Sequence, residues 1–104
     1  MNRKKYNVHI TERCIIDLEK HTEFIANVNV VAAKNFRNDF LATAKSLETF
    51  PERNVAIRLS IAPGLIYRRA LVGKYHALLY EIGSNNVLVD AIVDLRQNNR
   101  MDLL

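Results

Sequence analysis

Residues 65–95 read LIYRRALVGKYHALLYEIGSNNVLVDAIVDL, and this stretch decides the fold. It contains three segments rich in β-branched, aromatic and leucine residues, at 65–72, 75–82 and 87–95. Such residues favour strands, and the glycine-containing sequences Gly73-Lys74 and 83–86 between the segments favour tight turns. The stretch therefore predicts three consecutive antiparallel strands that form a meander.

The N-terminal part of the chain predicts a strand followed by a helix. Residues 6–10 alternate apolar and polar side chains, which is the period of a half-buried strand. Thr11 is a candidate N-cap and Glu12 lies in the first turn, so a helix is expected over residues 12–26. The apolar side of this helix is predicted to consist of Cys14, Ile15, Leu18, Thr22 and Ile25.

Two asparagines, Asn27 and Asn29, interrupt this pattern and separate the first helix from a second. After them, apolar residues recur every three or four positions until Phe50-Pro51, at Val30, Ala33, Phe36, Phe40, Ala44 and Leu47. This spacing predicts a second helix, packed antiparallel on the first. Over residues 51–64 the periodicity is lost and turn-forming residues predict a loop, within which residues 55–61 could form a short strand.

The predicted order is strand, helix, helix, strand, strand, strand. Helices that are separate in sequence from a mostly antiparallel sheet are typical of an α+β fold, here two layers with a helical hairpin packed on the sheet. A chain of 104 residues can build one hydrophobic core. Residues 1–104 are therefore predicted to form a single domain.

The composition favours a cytoplasmic protein. Cys14 is the one cysteine, so no intramolecular disulfide is possible, no metal site can rest on it, and a reducing compartment is expected. The basic residues of the start are not followed by an apolar run, so the sequence predicts neither a signal peptide nor a membrane span.

Charge is unevenly distributed along the chain, which has a formal net charge of +4. Residues 53–80 contain no Asp or Glu and five basic residues, Arg53, Arg58, Arg68, Arg69 and Lys74. This segregation predicts a basic face and an acidic partner, either nucleic acid or an acidic protein segment.

Several pieces of the sequence, taken in order, resemble the RelE/ParE superfamily. They are Tyr6-Asn7-Val8-His9-Ile10-Thr11 leading into Asp17-Leu18, residues 47–51 at the close of the second helix, Tyr67-Arg68-Arg69-Ala70-Leu71-Val72, residues 74–82, and Ile92-Val93-Asp94-Leu95-Arg96-Gln97-Asn98. Together they extend over roughly residues 5 to 98, and their joint order and spacing carry the specificity.

The resemblance implies a RelE/ParE-like two-layer fold and the toxin of a type II toxin–antitoxin system, a class associated with growth inhibition and plasmid stabilisation. A cognate antitoxin protein is then the expected partner. RelE-like members cut mRNA on the ribosome, whereas ParE-like members poison DNA gyrase without a known catalytic centre. Neither class implies a cofactor or a metal, and none is expected here.

A RelE-like endoribonuclease is metal-free and needs a base for the 2′-hydroxyl, cations for the phosphorane charge and an acid for the leaving oxygen. The resemblance implies Arg69, His76 and Arg96 as the catalytic residues. Arg68 and Arg69 are adjacent on a strand and must face opposite sides, so both cannot line one site. Whether Arg69 lies beside His76 depends on whether Gly73 is the first or the second residue of a two-residue turn.

The C-terminal part of the sequence favours the ParE-like branch. Asp94-Leu95-Arg96-Gln97-Asn98 resembles the Arg-Gln-Asn-Pro ending of many ParE-like members, with Asn99 in place of the proline, and no His or Tyr follows. We therefore predict a ParE-like toxin that binds DNA gyrase. The alternatives are a RelE-like endoribonuclease acting on the ribosome and mRNA, and a degenerate non-toxic member that still binds its antitoxin. The predicted target-binding residues are Arg68, Arg69, Lys74, Arg96 and Arg100.

Structural roles compete with these assignments. A lone histidine in a largely apolar strand, such as His76, is more often structural than catalytic. Arg96 can bind the carboxylate of Asp94, and the arginine pair on the preceding strand can bind Asp90 or Asp94 across the sheet.

Overall fold

The computed structural model describes residues 4–58 and 64–96. Its elements are β1 (Asn7–Ile10), α1 (Glu12–Ala26), α2 (Val30–Ser46), a short 3₁₀ helix (Pro51–Arg53), β2 (Ala56–Arg58), β3 (Ile66–Val72), β4 (His76–Ile82) and β5 (Asn86–Asp94). The strands form a five-stranded sheet in the order β1-β5-β4-β3-β2. β1 runs parallel to β5, and the other neighbours are antiparallel. The predicted α+β architecture is confirmed, with one more strand than the predicted order contains.

The core lies between the helical hairpin and one face of the sheet. It combines side chains from both layers, including Cys14, Leu18, Phe36, Phe40, Leu47, Val72, Leu78, Tyr80, Val87 and Val89. Burial of these apolar side chains is the main stabilising contribution to the fold. In the part of the chain that the structure describes, no helix combines the length and apolarity that crossing a bilayer requires.

Side-chain caps define where both helices begin. The Thr11 hydroxyl accepts a hydrogen bond from the Cys14 N–H at 3.1 Å, and the Asn29 side chain accepts one from the Ala32 N–H at 3.0 Å. The predicted helix over residues 12–26 is confirmed. Its predicted apolar side is wrong at Ile15, which is 45% exposed. One residue is a rotation of about 100° along an α-helix, so Ile15 turns toward solvent when Cys14 points to the core.

α2 ends at Ser46, before the expected stop at Phe50-Pro51. Phe50 has a left-handed backbone with φ 48°, and Pro51 begins the 3₁₀ helix. The Arg53 guanidinium donates hydrogen bonds to the carbonyls of Ser46, Thr49 and Phe50, at 3.3, 2.9 and 3.1 Å. These bonds tie the Arg53 side chain to the end of α2 and to the segment that follows it, and the Phe50 carbonyl also accepts the Arg53 backbone N–H at 3.2 Å.

β2 lies in the stretch that the sequence predicts as a loop. It pairs with β3 through Ala56 and Arg68, Ile57 and Tyr67, and Arg58 and Ile66. The loop prediction is therefore wrong for residues 56–58, and the short strand that the sequence left open within 55–61 is present there. Three residues are too few to show the alternation of apolar and polar side chains that predicts a strand. β2 is defined instead by its pairing with β3.

The turn between β3 and β4 contains three residues, Gly73 to Tyr75, since Val72 pairs with His76. Neither of the two predicted two-residue turns forms. Gly73 has φ 61°, a left-handed conformation that glycine adopts at little cost. The three-residue turn fixes the register of β3 against β4 and thereby the positions of the candidate residues.

Candidate functional site

Strand register places Arg69 and His76 on opposite faces of the sheet. His76 pairs with Val72, and Arg69 pairs with Leu79. Directly paired residues share a face and successive residues alternate, so His76 lies on the helix side with Val72 while Arg69 lies on the far side. The His76 ring accordingly packs on the Phe36 ring of α2, with centroids 4.6 Å apart. The three residues of the predicted catalytic set are thus divided between two faces.

His76 and Arg96 meet through Asp94. His76 pairs with Asp94 across β4 and β5, and its Nε2 lies 3.9 Å from Asp94 Oδ2. The Arg96 guanidinium donates two hydrogen bonds to the Asp94 carboxylate, at 3.0 and 2.8 Å, and the Arg96 backbone N–H donates a third at 2.9 Å. Bidentate contacts of this kind are the strongest arginine–carboxylate geometry. The alternative in which Arg96 binds Asp94 is the one observed.

Aromatic rings surround this cluster on both sides. Arg96 stacks its guanidinium 4.7 Å from the Tyr75 ring centre, and the Leu95 N–H donates to the Tyr75 carbonyl at 2.7 Å. On the helix side, the His21 ring meets His76 edge to face at 5.6 Å. The resulting arrangement joins α1, the β3–β4 turn and the end of β5.

Burial and neighbouring charges set the protonation of the cluster. Burial lowers the pKa of His76, as do His21 and Arg96, while Asp94 opposes this shift. The hydrogen bonds from Arg96 lower the pKa of Asp94 to about 2. At neutral pH the cluster therefore contains a neutral imidazole and an ionised carboxylate whose charge Arg96 neutralises. His76 is only 7% exposed, so little of its side chain is accessible.

A cavity of about 370 Å³ opens beside the cluster, between the helical hairpin and the β3–β4 turn. It is lined by Ile25, Ala32, Asn35, Phe36, Asp39, Val72, Gly73, Lys74, Tyr75, His76 and Arg96. Lys74 places its ammonium 5.7 Å from the Tyr75 ring centre. Lys74 and Arg96 are therefore the two predicted target-binding residues that the structure brings together. Within residues 4–58 and 64–96, no three His, Cys, Asp or Glu side chains are grouped to hold a metal ion.

Arg68 has an internal role that its charge alone did not reveal. Its guanidinium donates to the carbonyls of Glu52 and Asn54, at 3.2 and 2.6 Å. Arg53, as described above, binds the carbonyls at the end of α2. Two of the five cations in the acid-free stretch thus bind backbone oxygens, which also explains why they need no acidic partner. The predicted basic face is correspondingly reduced, and Arg100 lies outside the described residues.

The far face of the sheet carries a polar cluster that the sequence analysis did not identify. The register of β4 and β5 shifts between Leu79 and Tyr80, which leaves Asp90 as the unpaired residue of a bulge. Asp90 Oδ2 is the buried side-chain oxygen without a hydrogen-bond partner in the part of the chain described. Burial first, and then hydrogen bonding to Glu81, raise the pKa of Asp90 to about 7. Burial, followed by the charges of Glu81 and Asp90, also raises the pKa of Tyr67.

Comparison with known proteins gives a fold but no close relative. No protein-family model matches the sequence, and no curated protein sequence matches it. Among solved structures, the chain is similar to one from the chromosomal ParDE TA system from P. aeruginosa, with a TM-score of 0.68 and 15% sequence identity. The match covers 88% of this chain and 97% of that chain. The RelE/ParE-like fold predicted from the sequence is therefore confirmed.

Proposed function

We propose that this chain is the toxin of a type II toxin–antitoxin pair and belongs to the ParE-like branch. It would act in the cytoplasm by binding DNA gyrase, and a cognate antitoxin protein would neutralise it. The fold shared with a chain of a ParDE TA system supports the general class. The sequence Asp94-Leu95-Arg96-Gln97-Asn98 supports the branch.

The position of Arg69 and His76 on opposite faces of the sheet is the observation that favours gyrase binding over RNA cleavage. Metal-free RNA cleavage requires a base, a cation and an acid around one phosphate. Here His76 is buried against Phe36, Arg69 lies on the other sheet face, and Arg96 is bound to Asp94. These positions argue against the nuclease set and favour inhibition through protein–protein contact.

The proposed target-binding surface is the end of the sheet that carries Lys74, Tyr75 and Arg96. Tyr75 is 45% exposed and lies within reach of both cations, so the three form one aromatic and basic surface beside the 370 Å³ cavity. Arginine and tyrosine are enriched among residues that dominate binding energy at interfaces. Arg100, which also belongs to the predicted target-binding set, lies outside the described residues and stays a prediction from the sequence.

The proposal is tested by expressing the chain from a tightly controlled promoter and following labelled thymidine and labelled amino acid incorporation during the first minutes. DNA synthesis is expected to stop first, and purified protein is expected to inhibit supercoiling by purified gyrase. If protein synthesis stops first, the ribosome is the target and the endoribonuclease alternative replaces this proposal. Harmless expression of folded protein would instead indicate the degenerate, non-toxic alternative.

Matched charge variants locate the active surface. Arg96→Gln and Lys74→Gln are expected to reduce gyrase inhibition at least tenfold, about the effect of losing one well-placed charged contact. Arg69→Gln removes the same charge from the opposite sheet face and is the control, for which inhibition should change less than about twofold. Loss of inhibition in the Arg69 variant alone would contradict the proposed surface.

A further inference from the structure

A second cavity, of about 320 Å³, shares none of its described lining residues with the cavity beside His76. It is lined by Lys4, Tyr6, Phe50 and Glu52. Two of these side chains are aromatic and one is a carboxylate, and the surface proposed above for target binding includes none of the four. The cavity therefore needs its own explanation.

Phe50 is unusual in both conformation and exposure. Its backbone has φ 48° and ψ 55°, the left-handed region that bulky side chains rarely adopt because the conformation is strained. Its side chain is also 56% exposed, so core packing does not account for the strain. Strained residues that the surrounding structure holds in place are concentrated at binding and catalytic sites.

Hydrogen bonds from three side chains, Arg53, Tyr80 and Arg68, hold the backbone around Phe50. Arg53 donates to the carbonyls of Thr49 and Phe50 at 2.9 and 3.1 Å. The buried Tyr80 hydroxyl donates to the Pro51 carbonyl at 2.6 Å and accepts a bond from the Asn54 side chain at 3.0 Å. Together with Arg68, which binds the carbonyls of Glu52 and Asn54, these side chains fix two walls of the cavity before any ligand arrives.

The cavity favours a cation. The Tyr6 hydroxyl donates to Glu52 Oε2 at 3.1 Å, and the other carboxylate oxygen accepts no hydrogen bond from the residues that the structure describes. The Lys4 ammonium already lies 4.9 Å from the Tyr6 ring centre and also donates to the Ser84 carbonyl. A cation of the chain itself thus occupies one aromatic face, and aromatic faces attract cations through the ring quadrupole.

We propose that Tyr6, Phe50 and Glu52 form a binding site for the guanidinium group of an arginine side chain presented by a partner protein. A guanidinium is planar, so it stacks on aromatic rings, and its parallel N–H donors match a carboxylate. An ammonium offers neither the flat surface nor the paired donors. The site does not depend on gyrase being the target, and it assigns a role to the strained, exposed Phe50.

The test is an NMR titration of the full chain with the blocked peptide acetyl-Gly-Arg-Gly-amide. Matched peptides with citrulline and with lysine in place of arginine are the ligand controls, because citrulline keeps the shape and removes the charge. We expect saturable shifts at the Tyr6, Phe50 and Glu52 signals with the arginine peptide, and binding at least about tenfold weaker for the two controls. Equal binding of citrulline or lysine peptide would overturn the guanidinium assignment.

Variants test the walls one at a time. Glu52→Gln retains an acceptor for the Tyr6 hydroxyl and removes the charge, and Phe50→Leu retains apolar bulk and removes the ring. Each is expected to weaken binding of the arginine peptide about tenfold. Phe24→Leu removes a ring on α1 that is more exposed than Phe50, at 74% against 56%, and should leave binding unchanged.

Lys4→Met gives the opposite expectation. Removing the ammonium that covers the Tyr6 ring frees one aromatic face and should strengthen binding of the arginine peptide severalfold. Amide spectra of each variant establish that the fold is intact before affinities are compared. Unchanged affinity in both Glu52→Gln and Phe50→Leu, with dispersed spectra, would overturn the proposed site.

Discussion

Arg68 and Arg69 are consecutive on β3, yet they face opposite sides of the sheet and have different surroundings. Arg68 donates to the carbonyls of Glu52 and Asn54, while the Arg69 side chain forms no hydrogen bond or ion pair with the residues described. We expect Arg68→Met to lower the free energy of unfolding by about 2 kcal/mol, because two backbone oxygens lose a charged donor. Arg69→Met is the matched control, with an expected change within about 0.5 kcal/mol. Urea denaturation measures both, and equal losses would contradict the internal role of Arg68.

Much of the fold could be predicted because its signals are local. The caps Thr11 and Asn29, the apolar spacing of both helices and the three strand-rich segments each identify an element within a few residues. The opposite orientation of Arg68 and Arg69 was also predicted correctly, since alternation along a strand does not depend on its partners. The sequence left β2 open within a predicted loop and did not predict the early end of α2, because these features depend on pairing with β3 and on bonds from Arg53.

The candidate site was harder to predict because it depends on register. A three-residue turn at Gly73, rather than a two-residue turn, and a bulge at Asp90 determine which side chains share a face. Neither feature has a distinctive sequence signal in a single chain. Arg96 and Asp94 are only two positions apart in sequence, so their contact could be considered from the sequence alone.

The left-handed backbone of Gly73 predicts the effect of replacing this glycine by alanine. Gly73→Ala is expected to lower the free energy of unfolding by about 1 kcal/mol, because φ 61° strains a residue that has a Cβ atom. The added Cβ would meet the nearest Asp39 oxygen at 3.6 Å, an ordinary contact, so backbone strain is the cause. Gly83→Ala, where no positive φ is present, should change stability by less than about 0.5 kcal/mol. Thermal unfolding compares the two, and equal midpoints would refute the strain argument.

Asp94 gives a prediction with a defined pH window. Its folded pKa of about 2 lies below the ordinary value of 3.8, so ionised Asp94 stabilises the fold above that value and the effect fades as the pH falls through about 2. Asp94→Asn is expected to lower the free energy of unfolding by about 2 kcal/mol at pH 7 and by roughly half as much at pH 3. Urea denaturation at both pH values measures the difference.

The control for this prediction is Asp39→Asn, which removes a carboxylate that lines the same cavity. Asp39 forms no ion pair with the residues that the structure describes, so its loss is expected to cost less than about 0.5 kcal/mol at either pH. A pH-independent loss in Asp94→Asn would show that shape or packing, rather than the bond to Arg96, accounts for the effect.

For Asp90 the predicted dependence of stability on pH has the opposite sign. Its folded pKa of about 7 lies above the ordinary 3.8, so the folded protein binds the proton more tightly and its stability falls as the pH rises from about 4 to about 7. Asp90→Asn removes this penalty and is expected to be more stable than the parent by on the order of 2 kcal/mol at pH 8. The advantage should shrink severalfold by pH 4, where Asp90 is protonated in the folded parent and about half protonated in the unfolded chain, and it should disappear by about pH 3.

A double-mutant cycle with Glu81→Gln identifies the neighbour responsible. Burial is the first cause of the Asp90 shift and Glu81 the second, so Glu81→Gln alone should also stabilise the protein at pH 8, by less than Asp90→Asn. In the double variant the gains should not add, because each substitution removes the same carboxyl–carboxylate contact. Free energies of unfolding at pH 4, 6 and 8 provide the measurement. Additive gains, or a gain for Asp90→Asn that persists unchanged at pH 4, would mean that the contact with Glu81 is not the source of the penalty.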